Sequence, residues 1–309
     1  MPPKIIVESV RQIYNDGLHN AFTDLCRFQG RFYLTFRNCP DGHMIYASSR
    51  ILVLTSADGR DWRVVCAFNV PGRDVRDPHF CVFADRLFVY TGTWLVGPQA
   101  PNGGDMDDHQ GYGAWSADGE RWHGPYLLLG THGYYIWRAA TYGGMAYLCG
   151  RRKTVPGQRL AREERRAYQS VLLGSRDGLS WSAVGLFQEE YGDETAFLFE
   201  ADGSILAVAR DGNNLQAQVC RARPPYKEWR RSALYRNIGG PLLARWGADY
   251  LVGGRDARDP RHPKTALAWL VDDQLCEAAQ LPSGGDTSYP GFVELSATRG
   301  LLSYYSSHE

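Results

Sequence analysis

The stretch ETAFLFEADGSILAVAR opens with a carboxylate, Glu194, closes with a guanidinium, Arg210, and is otherwise apolar apart from an Ala-Asp-Gly-Ser turn. Opposite charges at the two ends of an apolar hairpin either pair across the strands or serve a ligand. Similar polar residues open other strand-like segments: Arg76, Asp77 and His79 in RDVRDPHF, and Trp137 and Arg138 in YYIWRAAT. Charges are costly to bury there unless they pair, as Arg76 could with Asp77 or Asp74, or bind something. FRNCPDGH adds Arg37, Asp41 and His43, HNAFTDL adds His19, Asn20, Thr23 and Asp24, and DTSYPGF carries Tyr289. Tyr289 is either a packed strand aromatic or a site residue. His43, His109 and His132 show no metal-ligand spacing. The run DMDDH, residues 105–109, is a solvated loop tip or a weak cation site.

These residues need elements that bring them together. Three boxes share the pattern S-x-D-G-x-x-W: SADGRDW from Ser56, SADGERW from Ser116 and SRDGLSW from Ser175, spaced by 60 and 59 residues. Such a period points to a repeat architecture. Within each box the Ser hydroxyl and Asp carboxylate can take up turn amides, Gly supplies a positive φ, and Trp packs beneath. A second unit, strand, turn and longer strand, recurs six times: AFTDLCRFQGRFYLTFR, DPHFCVFADRLFVYTGT, WRAATYGGMAYLCGRR, ETAFLFEADGSILAVAR, GPLLARWGADYLVGGRD and YPGFVELSATRGLLSYYSS. Each unit plus the residues after it supplies one four-stranded antiparallel sheet, and such sheets stack radially. The expectation is an all-β, six-bladed β-propeller forming one domain over residues 1–309. The last unit leaves little chain for outer strands, so residues 4–14 are expected to complete that blade. Residues 151–170 form a charged insertion, either a solvated hairpin or short helix or a basic rim for an acidic ligand.

Composition agrees with many strands and turns: 13% aromatic, 34 Gly and 16 Pro in 309 residues. With 34 basic and 34 acidic residues the formal net charge is zero, which argues against nucleic acid or an anionic membrane as partner. No export signal or membrane-length apolar run is visible. The seven cysteines lack CxxC spacing and read as free thiols, so a cytoplasmic location is expected.

The boxes on a six-hairpin frame resemble the repeats of the sialidase (neuraminidase) superfamily of six-bladed propellers, over nearly the whole chain. That family presents a glutamate at the start of blade four, an arginine at the end of its second strand, an arginine in blade five and a tyrosine opening blade six. Glu194, Arg210, Arg255 and Tyr289 fall in that order here. The resemblance implies a retaining exo-glycosidase for a terminal acidic sugar, sialic acid or a related nonulosonic acid, with no cofactor. Tyr289 would be the nucleophile, Glu194 its base, and Arg210 and Arg255 the clamp on the sugar carboxylate. The family's acid points to Asp41, with Asp77 and His43 as rivals; Arg37, Arg138, Asp77, His43, Trp137 and Asp24 join the substrate-binding set. The chain departs from the family in having HNAFTDL where an Arg-Ile-Pro signature belongs, unless Arg37, Arg76 or Arg138 reaches in. Tyr304 and Tyr305 stand near where a late glutamate is usual. Glycosidases for other sugars, such as a uronic acid, and non-catalytic glycan-binding propellers share these features. Oligomeric state is left open.

Overall fold

A computed structural model describes residues 3–97, 105–158, 160 and 162–306. Its strands fall into six antiparallel sheets. The first holds β1 (His19–Phe28), β2 (Arg31–Cys39), β3 (Arg50–Ser56) and β4 (Arg63–Phe68). The second holds β5 (Arg73–Phe83), β6 (Arg86–Leu95), β7 (Gln110–Ser116) and β8 (His123–Leu127). The third holds β9 (Tyr135–Tyr142), β10 (Met145–Lys153), β11 (Tyr168–Ser175) and β12 (Ser182–Gln188). The fourth holds β13 (Gly192–Phe199), β14 (Ile205–Asp211), β15 (Gln218–Ala222) and β16 (Trp229–Ala233). The fifth holds β17 (Gly239–Trp246), β18 (Asp249–Asp256), β19 (Lys264–Val271) and β20 (Gln274–Gln280), and the sixth only β21 (Thr287–Ser296) and β22 (Arg299–Ser306). The architecture is an all-β propeller with four-stranded antiparallel blades, five of them complete.

Two-residue turns with positive φ at both positions join several inner hairpins: Gln29-Gly30, Ala84-Asp85 and Gly143-Gly144. That geometry matches strand twist and fixes the register. The boxes build the outer turns of the first three sheets identically. Ser56 Oγ accepts from Gly59 N at 2.9 Å, and Asp58 Oδ1 accepts from Arg60 N and Asp61 N at 2.8 and 3.1 Å. Ser116 with Asp118, and Ser175 with Asp177, repeat the pattern.

Apolar faces meet between neighbouring sheets: Val53, Phe68, Phe80 and Val89 between the first and second, and Leu34, Leu52 and Val293 between the sixth and first. The innermost strands pack in the order β1, β5, β9, β13, β17, β21, and β21 returns to β1. Thr23 Oγ1 donates to Tyr289 O at 2.7 Å across that closure.

One expectation is corrected. Residues 3–18 form no strand, so among the described residues β22 pairs with β21 alone. They are tied instead by scattered bonds, Ile5 N to Ala278 O at 3.3 Å and Trp269 Nε1 to Pro3 O at 2.7 Å, and leave a cavity of about 810 Å³ against the sixth sheet. A bend held by bonds from Gly17 N to Asn15 Oδ1 at 2.9 Å and from Leu18 N to Asp16 Oδ1 at 3.1 Å leads directly into β1. The charged segment 151–170 runs from β10 into β11, which pair as a hairpin, and includes the short 3-10 helix Arg162–Ala167, in keeping with the hairpin or short helix expected there. Its Lys153 is buried and meets Asp105 and Asp107, each at 2.7 Å, so the DMDDH run holds an ammonium group of the chain itself.

Candidate active site

Every inner strand shifts register near its start. The shifts lie between Ala21 and Asp24, Arg76 and His79, Ile136 and Ala139, Gly192 and Thr195, Gly239 and Leu242, and Ser288 and Gly291. A bulge inserts a residue and re-aims its side chain. Phe22, Asp77, Gly240 and Tyr289 sit in these shifts with φ of 64°, 52°, 58° and 52°, a left-handed conformation that non-glycine residues hold only when packing imposes it. Trp137, Arg138, Asp193 and Glu194 occupy the shifts of the third and fourth sheets. Six equivalent bulges therefore aim side chains from six sheets at one end of the channel.

Glu194 and Tyr289 meet there. The Tyr289 hydroxyl donates to Glu194 Oε1, while Arg210 Nη1 and Gly240 N donate to Oε2 at 3.0 and 2.9 Å. Gly240 is required at this spot, since a Cβ would stand 2.7 Å from the Tyr289 ring. Burial, with the Glu194 and Asp77 charges, pushes the Tyr289 phenol well above its usual range, so it stays protonated until a base takes the proton. The Glu194 and Arg210 ends of the hairpin do pair, yet Glu194 keeps its second oxygen on the phenol.

Asp77 faces the same place. It accepts from the Tyr135 hydroxyl through Oδ2, while Oδ1 is buried without a hydrogen-bond partner among the described residues. Burial, then the nearby Glu194 charge, raises Asp77 to about 7, against the opposing effect of Arg76. A carboxyl that keeps its proton up to about neutral pH can donate it. Asp41, the residue expected in that role, lies exposed on the turn after β2, where it accepts from Ser48 Oγ at 2.5 Å.

The arginines are already matched by carboxylates of the chain. Arg37 is fully buried, bonds Asp74 through Nε and Nη2 at 3.0 and 2.9 Å, and ties down the 42–44 loop through Gly42 O and Met44 O. It therefore braces the mouth and does not open onto it, contrary to expectation. Arg76 shares Asp74 at 2.7 Å, the mutual pairing that its strand-start position allowed. Arg138 and Asp24, expected to touch ligand, bind each other at 2.6 Å. Arg138 also donates to Pro290 O at 2.6 Å and Asp24 accepts from Phe80 N at 2.8 Å, so both plug the channel. His79 lies 3.4 Å from Asp24 off the hydrogen-bonding line, and burial pulls it down to about 4. Trp137 is buried behind Tyr289, ring centres 6.0 Å apart, and presents no face to a ligand.

Arg255 keeps partial exposure. It bonds Asp286 Oδ1 at 2.5 Å, the Tyr305 hydroxyl at 3.0 Å and Thr287 O at 2.8 Å. Asp193 is held between Arg151 and Arg210 and caps Glu194 N at 2.9 Å. Phe22 lies against Tyr289, Tyr305 and His43, with ring centres 4.8, 5.6 and 5.5 Å apart. Asp193, Asp286, Phe22 and Tyr135 were not anticipated. The signal that could have found them is the shared distance of each from its hairpin turn, or, for Asp286, its place at the head of DTSYPGF.

No family model matches the chain, and no curated protein matches it. Solved structures do. A mutant of NanB sialidase from Streptococcus pneumoniae superposes with a TM-score of 0.70 at 12% identity, covering 99% of this chain and 68% of that one. Two others are the Hadza microbial sialidase Hz136 (TM-score 0.64, 14% identity, 89% of this chain and 61% of that one) and Trypanosoma rangeli sialidase (0.64, 12%, 89% and 50%). The fold is that of the sialidase-like β-propellers. The chain spans 61% and 50% of the latter two sialidases. Within this sialidase-like frame, Glu194 and Tyr289 are the pair brought into direct contact from the fourth and sixth sheets, 95 residues apart in sequence.

Proposed function

We propose that this protein is a retaining exo-glycosidase of the sialidase type, acting on a terminal acidic sugar, with a six-bladed frame whose last blade is short. The observation that carries this reading is the Tyr289 hydroxyl bonded to Glu194, whose other oxygen is held by Arg210 and Gly240 N. A carboxylate nucleophile would be repelled by a carboxylate on the anomeric carbon, whereas a phenol paired with a base is not. In the proposed first step Tyr289 Oη attacks the anomeric carbon and its proton passes to Glu194, while Asp77 protonates the departing glycosidic oxygen. Water then attacks the anomeric carbon of the glycosyl-tyrosine, with Asp77 taking its proton, while the bond to Tyr289 Oη breaks and Glu194 returns its proton to the phenol. The outward N–H groups of Arg255 and Arg76 would meet the sugar carboxylate. That Trypanosoma rangeli sialidase is known in complex with sialic acid supports a carbohydrate ligand for this mouth. The free state of all seven cysteines supports a reducing, cytoplasmic location.

A second reading, a glycosidase for a sugar whose anomeric carbon bears no carboxylate, such as a uronic acid or a neutral sugar, is favoured by one observation: Asp286 already occupies Arg255. Turnover of aryl glycosides of nonulosonic, uronic and neutral sugars decides between them. Hydrolysis of nonulosonides, lost in Tyr289→Phe, is the expected result; uronide or neutral-glycoside hydrolysis favours the second reading, and turnover unchanged in Tyr289→Phe refutes the mechanism.

A further inference from the structure

At the rim of the mouth three ligand atoms converge that no sequence spacing relates. His19 opens β1, His43 lies on the loop after β2, and Asp286 precedes β21. His43 Nδ1 stands 3.3 Å from His19 Nε2 and 3.0 Å from Asp286 Oδ2, and the ligand atoms of the three lie within 4.8 Å of one another. His43 Nδ1 carries at most one hydrogen and meets two polar atoms. The two separations at His43 Nδ1 match the edge of about 3.3 Å of a tetrahedron whose centre lies about 2.0 Å from nitrogen and oxygen ligands, the geometry of zinc, and closing the third side of the group needs a side-chain adjustment of His19 or Asp286.

We propose that His19, His43 and Asp286 form a binding site for a borderline divalent cation of the zinc type, with its fourth position open to the mouth. Binding leaves the proton count unchanged in the neutral imidazoles: the His43 hydrogen sits on Nε2 and the His19 hydrogen on Nδ1, which turns the ring away from the Arg37 guanidinium, so that His43 Nδ1, His19 Nε2 and Asp286 Oδ2 each offer a lone pair. Asp286 is prepared as a one-oxygen ligand. Its Oδ1 is taken by Arg255, and the Tyr305 hydroxyl steadies Oδ2 at 3.1 Å. The Phe22 ring lies edge-on beside His43 and fixes its plane. Arg37 Nη1, 3.5 Å from His19 Nδ1, and Arg255 add positive charge nearby. That charge disfavours hard cations held by oxygen alone and leaves those for which imidazole is a strong ligand. The open position would accept water or a ligand oxygen. The inference does not depend on whether Tyr289 is a nucleophile.

The test is titration of the chelator-stripped full chain with Zn2+ by calorimetry and with Co2+ by visible absorption. The expected result is one equivalent bound, a tetrahedral-type Co2+ spectrum without a thiolate charge-transfer band, and affinity at least 100-fold weaker in both His43→Ala and His19→Gln. Matching circular dichroism and melting curves would show those variants folded; should His19→Gln not fold, His43→Ala with Asp286→Asn decides. Absence of stoichiometric binding, a thiolate band, or binding unchanged in the folded variants would overturn the proposal.

Discussion

At the residue scale, the proposed chemistry rests on Tyr289, Glu194 and Asp77, three side chains with different environments. Tyr289 is held protonated by burial and by the Glu194 and Asp77 charges, and Asp77 is raised to about 7 chiefly by burial. An acid must hold its proton to act, so the rate is expected to fall as pH climbs past about 7, and the Asp77→Asn variant should lack that limb. Its loss in kcat/KM should be about 10²–10⁴-fold for substrates with poor leaving groups and far smaller for activated aryl glycosides. A pH profile on both substrate types checks this; an alkaline limb that survives in Asp77→Asn assigns the acid elsewhere. Asp41→Asn should leave both profiles unchanged, since its carboxylate is spent on Ser48 at the surface. Choosing between Asp41 and Asp77 was beyond the sequence because burial, not residue type, separates them.

At the scale of elements, the bulge is the device that turns a strand into a site. Sequence periodicity gave the hairpins and the box turns, because alternation and S-x-D-G-x-x-W are local signals. The bulges escaped notice because a register shift shows only against the partner strand, and it is the shift that aims Glu194, Asp77 and Tyr289 inward together. For the same reason the arginines could not be sorted. Asp74, Asp286 and Asp193, which neutralise Arg37, Arg255 and Arg210, lie on other strands or segments. The box turns key each sheet to the one before it: a Cβ on Gly119 would stand 1.8 Å from the Tyr33 hydroxyl, and Gly119 has φ of 74°. Gly119→Ala should therefore cost about 2–4 kcal/mol, combining left-handed strain with displacement of a buried ring. Gly133→Ala, at φ of 76° with open space around it, should cost only about 1 kcal/mol. Urea midpoints of the two variants check the difference, and equal shifts would remove the keying role.

At the scale of the molecule, the ring closes through β21 against β1 and not through a shared sheet. The sixth sheet has two strands, and residues 3–18 lie across it without pairing. The amides along the outer edge of β22 are expected to exchange with deuterium faster than those of β14, which has partners on both sides. Hydrogen exchange resolved to peptides checks this, and equal protection would mean that residues 3–18 pair with the edge in solution. Nearly all of the architecture was legible because six similar hairpins imply stacking; the last blade was not, since half-alternating residues near a free edge look the same paired or unpaired. Ring closure is also what brings Tyr289 to Glu194, so the claim that Tyr289 is a nucleophile tests the whole arrangement. The most direct measurement is intact-mass and peptide analysis after incubation with a nonulosonyl fluoride that carries a second fluorine beside the anomeric carbon, which slows release of the glycosyl group. A single glycosyl adduct on the peptide containing Tyr289, absent in Tyr289→Phe, is the predicted result; adduct on another residue, or steady hydrolysis of nonulosonides that Tyr289→Phe retains, would contradict it.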